Sequence, residues 1–204
     1  MNRFLHRKEN VVLTAIEIID ELGIQGLSTR EIAKRQGISE GTLFRHFKSK
    51  NDIILDVLEY FSKYDADIFQ SVKLKDFKPK EAISFLVDSY ITYYENYPAI
   101  IALTQIYGVF LAEPDYAAKI RSILCSRKNF LKEVIETGQQ DGEIKGGIES
   151  GIIADIIIGT ISSLCMTWRL GNRKFALREK TLAALTVILD GLNDSKSTGR
   201  RNET

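Results

Sequence analysis

The sequence predicts an all-α protein, with an N-terminal helix-turn-helix domain of three helices followed by a larger helical domain. Three observations predict it. Apolar residues recur at helical spacing along nearly the whole chain, serines and glycines punctuate that pattern as starts and stops, and no stretch alternates in the manner of a half-buried strand.

Helix one is read over 11–22, where Val12, Ile16, Ile19 and Leu22 form one stripe and Gly23 follows as a stop. The next start is Leu27-Ser28-Thr29-Arg30-Glu31-Ile32. Ser28 is placed to cap the amide three residues on and Glu31 to reach back, while Leu27 and Ile32 clamp the entry. Gly37 ends this second helix after two turns, and Ile38-Ser39 repeats the device with Leu43 as the staple partner. The third helix is expected to run to about Phe47. Ser49 opens a fourth, with Asp52 near the positive end of its dipole, and Ile53, Leu55, Val57, Leu58 and Phe61 carry it to about Ser71.

The charged stretch Lys73–Lys80 reads as a surface joint. Beyond it helices are expected over 79–96, between Pro98 and Pro114, over 115–138, over 148–170 and over 175–192, with a glycine-rich loop at 138–147. The chain thus divides into a domain at 1–50, a connecting helix at 50–72, a second domain at 73–194 and a polar tail at 195–204.

A length of 204 residues with 44% apolar and 27% charged side chains fits one or two globular domains. It excludes a disordered tail protein, and 3 prolines exclude collagen-like chain. Cys125 and Cys165 stand apart from any Cys/His cluster, and no signal peptide opens the chain, so both are read as reduced thiols of a cytoplasmic protein. The net charge of +1 hides a division: residues 1–50 carry +3 and the remainder −2.

Gly151–Trp168 contains a single charge, Asp155, and meets the crude length test for a membrane span. Asp155 and the hydroxyls of Thr160, Ser162, Ser163 and Thr167 favour burial against protein instead.

Residues 28–47 carry the functional signal. With Leu43 at zero and about 100° per residue, Phe47 falls at about 40°, so these two define a buried face. Gly41, Thr42, Arg45 and Lys48 then point away from it. That outward face is small, hydroxylic and basic, which suits a major groove: Thr42 for a base edge or thymine methyl, Arg45 for a guanine or a phosphate. On geometry alone, any capped helical hairpin with solvated Arg and Lys reads the same way.

The segment GIQGLSTREIAKRQGISEGTLFRHFKSKNDII, with helix one before it, resembles the DNA-binding domain of the TetR family of bacterial transcriptional regulators over roughly residues 8–55. Gly26, Thr29, Ile32, Ala33, Gly37, Ser39, Gly41, Thr42, Leu43, His46, Phe47 and Lys50 stand at that family's spacings. The resemblance implies phosphate contacts from Thr29, His46, Lys50 and the amides opening helix four, and base contacts from Glu40, Gly41, Thr42 and Arg45. Arg30 and Ser39 belong to the same expected surface. Phe44 replaces a tyrosine common in the family, so a phenol-to-phosphate hydrogen bond is lost. Arg3 and Arg7 form a basic arm, either reaching the DNA backbone or minor groove or simply solvated.

The resemblance further implies a two-fold dimer on a palindromic double-stranded operator, most often as a repressor, and a small-molecule effector held by the second domain. Candidate interface residues are Ile152, Ile156, Gly159 and Ser163 on one strip and Leu182, Leu185 and Leu189 on another, with an ordinary intramolecular core as the alternative. Candidate pocket residues are Tyr93, Tyr97, Tyr107, Phe110, Cys165 and Trp168, again against plain core, and their chemistry suits a lipophilic or aromatic ligand. No catalytic residue, metal ligand or cofactor is expected: the two histidines, His6 and His46, lie in the first third, and no phosphate loop or nucleophile elbow occurs. A small-molecule-binding protein without a DNA role and a transcriptional activator are the competing readings.

Overall fold

The computed structural model describes residues 2–105, 111–112 and 114–193, without the side chains of 2–7, 105 and 115. Among the described residues there are nine helices and no strand. They are α1 Asn2–Gly26, α2 Thr29–Gln36, α3 Glu40–Phe44, α4 Lys50–Leu74, α5 Pro79–Asn96, α6 Ala99–Gln105, α7 Pro114–Gln140, α8 Ser150–Leu170 and α9 Leu177–Gly191.

Two elements differ from expectation. Helix α1 begins at Asn2 rather than near residue 11, because nothing in Asn2–Asn10 breaks a helix: the stretch holds no proline or glycine. Arg3 and Arg7 therefore belong to α1 rather than to a separate arm. The regular helix does end at Gly23, whose φ of 68° and ψ of 179° break the repeat. Helix α3 stops at Phe44, three residues early, although the next turn is still wound, since the amides of His46 and Phe47 both donate to the Leu43 carbonyl at 2.9 and 3.1 Å.

The chain forms two compact units, one of Met1–Asp65 with Tyr97–Ile123, the other of Ala66–Asn96 with Leu124–Thr204. In the first, α1 packs on α2 and on α6, which draws residues far along the chain into the N-terminal unit. Its centre is aliphatic: Ile18, Ile19, Leu27, Ile32, Leu43, Ile53 and Ile100 are fully buried. Each such side chain contributes about 1.5–3 kcal/mol when removed from water.

In the second unit α9 packs on α5 and α8, and Phe69 stacks on Phe130 with centroids 4.1 Å apart. Helix α9 lacks a side-chain cap of its own at Ala176. Glu95 of α5 supplies it from outside, accepting from the Leu177 and Arg178 amides at 2.9 and 3.4 Å, while the Arg178 guanidinium forks onto Asp88.

Helix α8 is long and apolar enough to cross a bilayer, with a mean hydropathy of 1.6 and 33% of that window buried. Its one interior charge, Asp155, is paired with Lys128 of α7 at 2.6 Å.

Candidate nucleic-acid interface

The first residues to consider are those that start helices. Ser28 accepts from the Glu31 amide at 3.1 Å and Ser39 from the Thr42 amide at 3.1 Å. Both caps form as the sequence predicts, but the reciprocal half of the first capping box is replaced. The Glu31 carboxylate takes the Arg35 guanidinium at 2.9 Å instead, and that hydrogen bond holds the Glu31 carboxyl below its ordinary pKa range. Arg35 also reaches Glu21 at 2.8 Å and so fastens α2 to α1. Between the two caps, Gly37 adopts φ 61° and ψ 31°, the left-handed conformation that glycine reaches without a Cβ clash.

Helix α3 is seated by Leu43 and Phe47, which are 0% and 2% exposed. Gly41, Phe44, Arg45 and Lys48 are exposed around the rest of the turn, and Thr42 is half-buried. The Thr42 hydroxyl lies 3.0 Å from that of Ser39 and accepts from Arg45 Nη2 at 3.2 Å, so three polar side chains form one connected strip. Phe44, half of it in solvent, stands beside them.

The Glu40 carboxylate accepts a hydrogen bond from the Thr29 hydroxyl at 2.8 Å, tying the first residue of α3 to the first residue of α2. Sequence reasoning did not find this link, because Thr29 and Glu40 are eleven residues apart and no periodicity connects two helix starts.

The start of α4 completes the surface. Asp52 accepts from the amides of Lys48 and Ser49 at 2.7 and 3.2 Å, and Ser49 Oγ accepts in return from the Asp52 amide. Lys50 Nζ sits 3.5 Å from the Ile24 carbonyl, so the cation expected at a phosphate also fastens the α1 terminus. Arg30 is exposed. His46 borders a cavity of about 330 Å³ that it shares with Lys8, Phe47, Lys48, Asp52 and Asp56. Lys8 pairs there with Asp56 at 3.0 Å. The arrangement offers an exposed, glycine-opened helix flank with a guanidinium, a hydroxyl and an aromatic ring, which are the groups that read base edges and thymine methyls.

The expected ligand residues are less gathered. Cys165 and Trp168 are buried one turn apart on α8, and burial pushes the Cys165 thiol up to about 12. Trp168 spends its polar edge locally, donating from Nε1 to the Phe175 carbonyl at 2.9 Å across the turn between α8 and α9. Tyr93 is half-buried on α5, in the same unit, where Arg127 lies 4.9 Å over the Tyr90 ring and donates to the Tyr94 hydroxyl at 3.0 Å. Tyr97 is 45% exposed and belongs to the other unit. Tyr107 and Phe110 lie outside the described residues.

The two expected interface strips part company. Ile152, Ile156, Gly159 and Ser163 are all exposed, and Met166 and Leu170 extend the same face. The leucine strip of α9 turns inward instead: Leu185 and Leu189 are buried within the protomer, Leu182 is half-buried, and the large apolar side chain left in solvent there is Val187. Equal apolar periodicity on the two helices concealed which one had an internal partner.

Comparison with known proteins finds similarity along both parts of the chain. The sequence profile described as bacterial regulatory proteins, tetR family, matches residues 12–57, and that of the YsiA-like protein C-terminal region matches residues 61–191. The fatty acid metabolism regulator protein of Bacillus subtilis (strain 168) is 25% identical over 185 residues, 90% of this chain and 94% of that protein. The class C tetracycline repressor protein of Escherichia coli is 40% identical over 52 residues, 26% of this chain and 23% of its own. The crystal structure of the transcriptional regulator FadR from Bacillus subtilis in complex with stearoyl-CoA superposes with a TM-score of 0.79 at 24% identity, covering 91% of this chain and 99% of that one.

Proposed function

Because the chain belongs to the TetR family of bacterial regulatory proteins, we propose that it is a cytoplasmic repressor that holds a palindromic operator as a dimer and releases it on binding a long-chain acyl-CoA. The observation that carries the DNA half is the α3 flank, where Gly41, Thr42 and Arg45 face outward over a buried Leu43 and Phe47. Arg45 and Thr42 read base edges, Phe44 packs on sugar or methyl groups, and Arg30, Ser39 and Glu40 complete the base-facing rim. Thr29, His46 and Lys50 hold phosphates.

Ile152, Ile156, Gly159 and Ser163 meet a second copy. A Cβ added to Gly159 would meet nothing within 4 Å, so packing inside the protomer gives no reason for a glycine that costs its helix about 1 kcal/mol relative to alanine. Close approach of another helix does.

The effector class rests on the second domain. A relative matched along nearly its whole length is the fatty acid metabolism regulator protein of Bacillus subtilis, and the FadR structure similar in fold to this chain was crystallised with stearoyl-CoA. Of the aromatic and apolar candidates, Tyr93, Cys165 and Trp168 lie in one compact unit and are suited by their chemistry to an acyl chain. No catalytic step is assigned to any residue.

Selection from a random duplex library tests the DNA half. The protein should enrich a palindrome whose half-sites lie about 34 Å apart, and its log K should fall with log salt at about −0.9 per phosphate held. Enrichment of no sequence would remove the reading in favour of a binding protein without a DNA role.

A further inference from the structure

The Thr29 hydroxyl can give its single proton to one acceptor at a time. In this structure it gives it to Glu40, 2.8 Å away, and the two residues open the two helices of the reading head. Thr29 is also the residue whose hydroxyl the DNA-binding reading assigns to a phosphate. On that reading the carboxylate takes the proton that a DNA phosphate oxygen would accept.

The charged side chains of this face otherwise suit a polyanion: Arg30, Arg45 and Lys48 are exposed. Glu40 is the anion set among them, half-buried and oriented by its hydrogen bond rather than loose in solvent. A carboxylate on a DNA-facing helix repels every backbone phosphate, whatever the sequence, and is repaid only by a donor such as the N4 amino group of cytosine.

We infer that Glu40 is a specificity-determining residue that acts as an internal phosphate mimic: it withholds Thr29 from non-specific DNA and releases it where a cytosine amino group takes over the carboxylate. This rests on the DNA-binding reading above and deepens it. Glu40 raises the ratio of operator to non-specific affinity without adding to affinity itself. Two properties of the pair make this workable. The link joins two short helices already held by their own serine caps, so its release need not unfold either one. The carboxylate is also only half-buried, so water can replace Thr29 while the side chain turns.

The test uses the full chain and two probes, the duplex enriched by selection with the wild-type protein and a scrambled duplex of equal length and composition. Glu40→Gln keeps the size of the side chain and an oxygen that can accept from Thr29, and removes only the charge. It should tighten binding to the scrambled duplex by roughly three- to tenfold, the Coulomb penalty of one carboxylate near a phosphate in near-aqueous dielectric. Repeating the selection with Glu40→Gln should erase a cytosine preference at one position of each half-site. Thr29→Val, which removes the donor while preserving shape, should weaken the selected duplex, leave the scrambled one nearly unchanged, and shrink the gain that Glu40→Gln gives on the scrambled one.

Equal weakening of both duplexes by Glu40→Gln, with a lowered melting temperature, would overturn the inference and make the link a simple brace between α2 and α3. Unchanged affinities and an unchanged selected sequence would overturn it as well. If the wild-type protein enriches no duplex at all, the DNA-binding reading fails first, and this inference with it.

Discussion

At the scale of single residues, the outward face of α3 separates roles that the buried face leaves fixed. Arg45, the residue after the last of α3, is exposed and donates to the Thr42 hydroxyl three residues back. Arg45→Ala should therefore cost about 1–3 kcal/mol of operator binding and leave the circular dichroism spectrum and the melting temperature unchanged. Leu43→Ala should do the opposite, destabilising the fold by about 2–5 kcal/mol, because Leu43 is 0% exposed. The two thiols separate likewise. Cys125 is exposed and Cys165 buried, so a thiol reagent at neutral pH should label one cysteine quickly and the second only on unfolding. Burial raises the Cys165 pKa from 9.0 to about 12, so the folded state keeps a proton that the unfolded chain gives up. The sign follows: this thiol's contribution to stability is complete below pH 9 and is lost as pH rises from 9 toward 12. Melting curves of wild type and Cys165→Ala should converge across that window.

Much of the residue-level pattern was legible in the sequence, since Ser28, Ser39 and Ser49 sit at cap positions defined by local spacing, and Leu43 and Phe47 by helical period. What stayed hidden was the choice among partners. Glu31 had both a backbone amide and Arg35 within one helical turn, and the charge-assisted bond to Arg35 is the one that forms.

At the scale of elements, helix existence was easier to read than helix ends or neighbours. Pro79 and Asn96 bound α5 where proline at a first turn and the following Pro98 predict. Helix α1 overran its expected start because absence of a breaker is a weaker sign than presence of one. The α9 leucines were legible as a stripe but not as an inward one, since periodicity says which residues share a face and nothing about what covers it. The cap supplied by Glu95 lies 82 positions from Leu177, beyond any local signal. Glu95→Ala should loosen the α9 terminus and lower stability by about 0.5–2 kcal/mol, the usual range for a lost cap, measurable by urea denaturation. On α8 the exposed face from Ile152 to Leu170 runs for about 27 Å at 1.5 Å per residue, with Ile152, Ile156, Met166 and Leu170 each at least half in solvent. Ile156→Asp should turn the dimer into monomers in sedimentation velocity while the melting of the protomer changes little.

At the scale of the whole molecule, the near-neutral net charge of +1 resolves into a basic reading head and an acidic remainder. Two profile matches, 12–57 and 61–191, divide the chain in nearly the same place. The compact units follow a different logic, because α6 joins the N-terminal unit through α1 and one helix, α4, contributes residues to both. A regulator needs its effector to prefer one of two conformations: shifting a 99:1 balance to 1:99 takes about 5.5 kcal/mol of differential affinity, and equal affinity for both shifts nothing. The direct measurement is fluorescence anisotropy of the selected operator duplex with the full-length protein, titrated with stearoyl-CoA, with free coenzyme A and stearate as controls. Stearoyl-CoA alone should release the duplex, raising the apparent Kd at least tenfold at saturation. An operator affinity that does not change while stearoyl-CoA is bound would contradict ligand-controlled release.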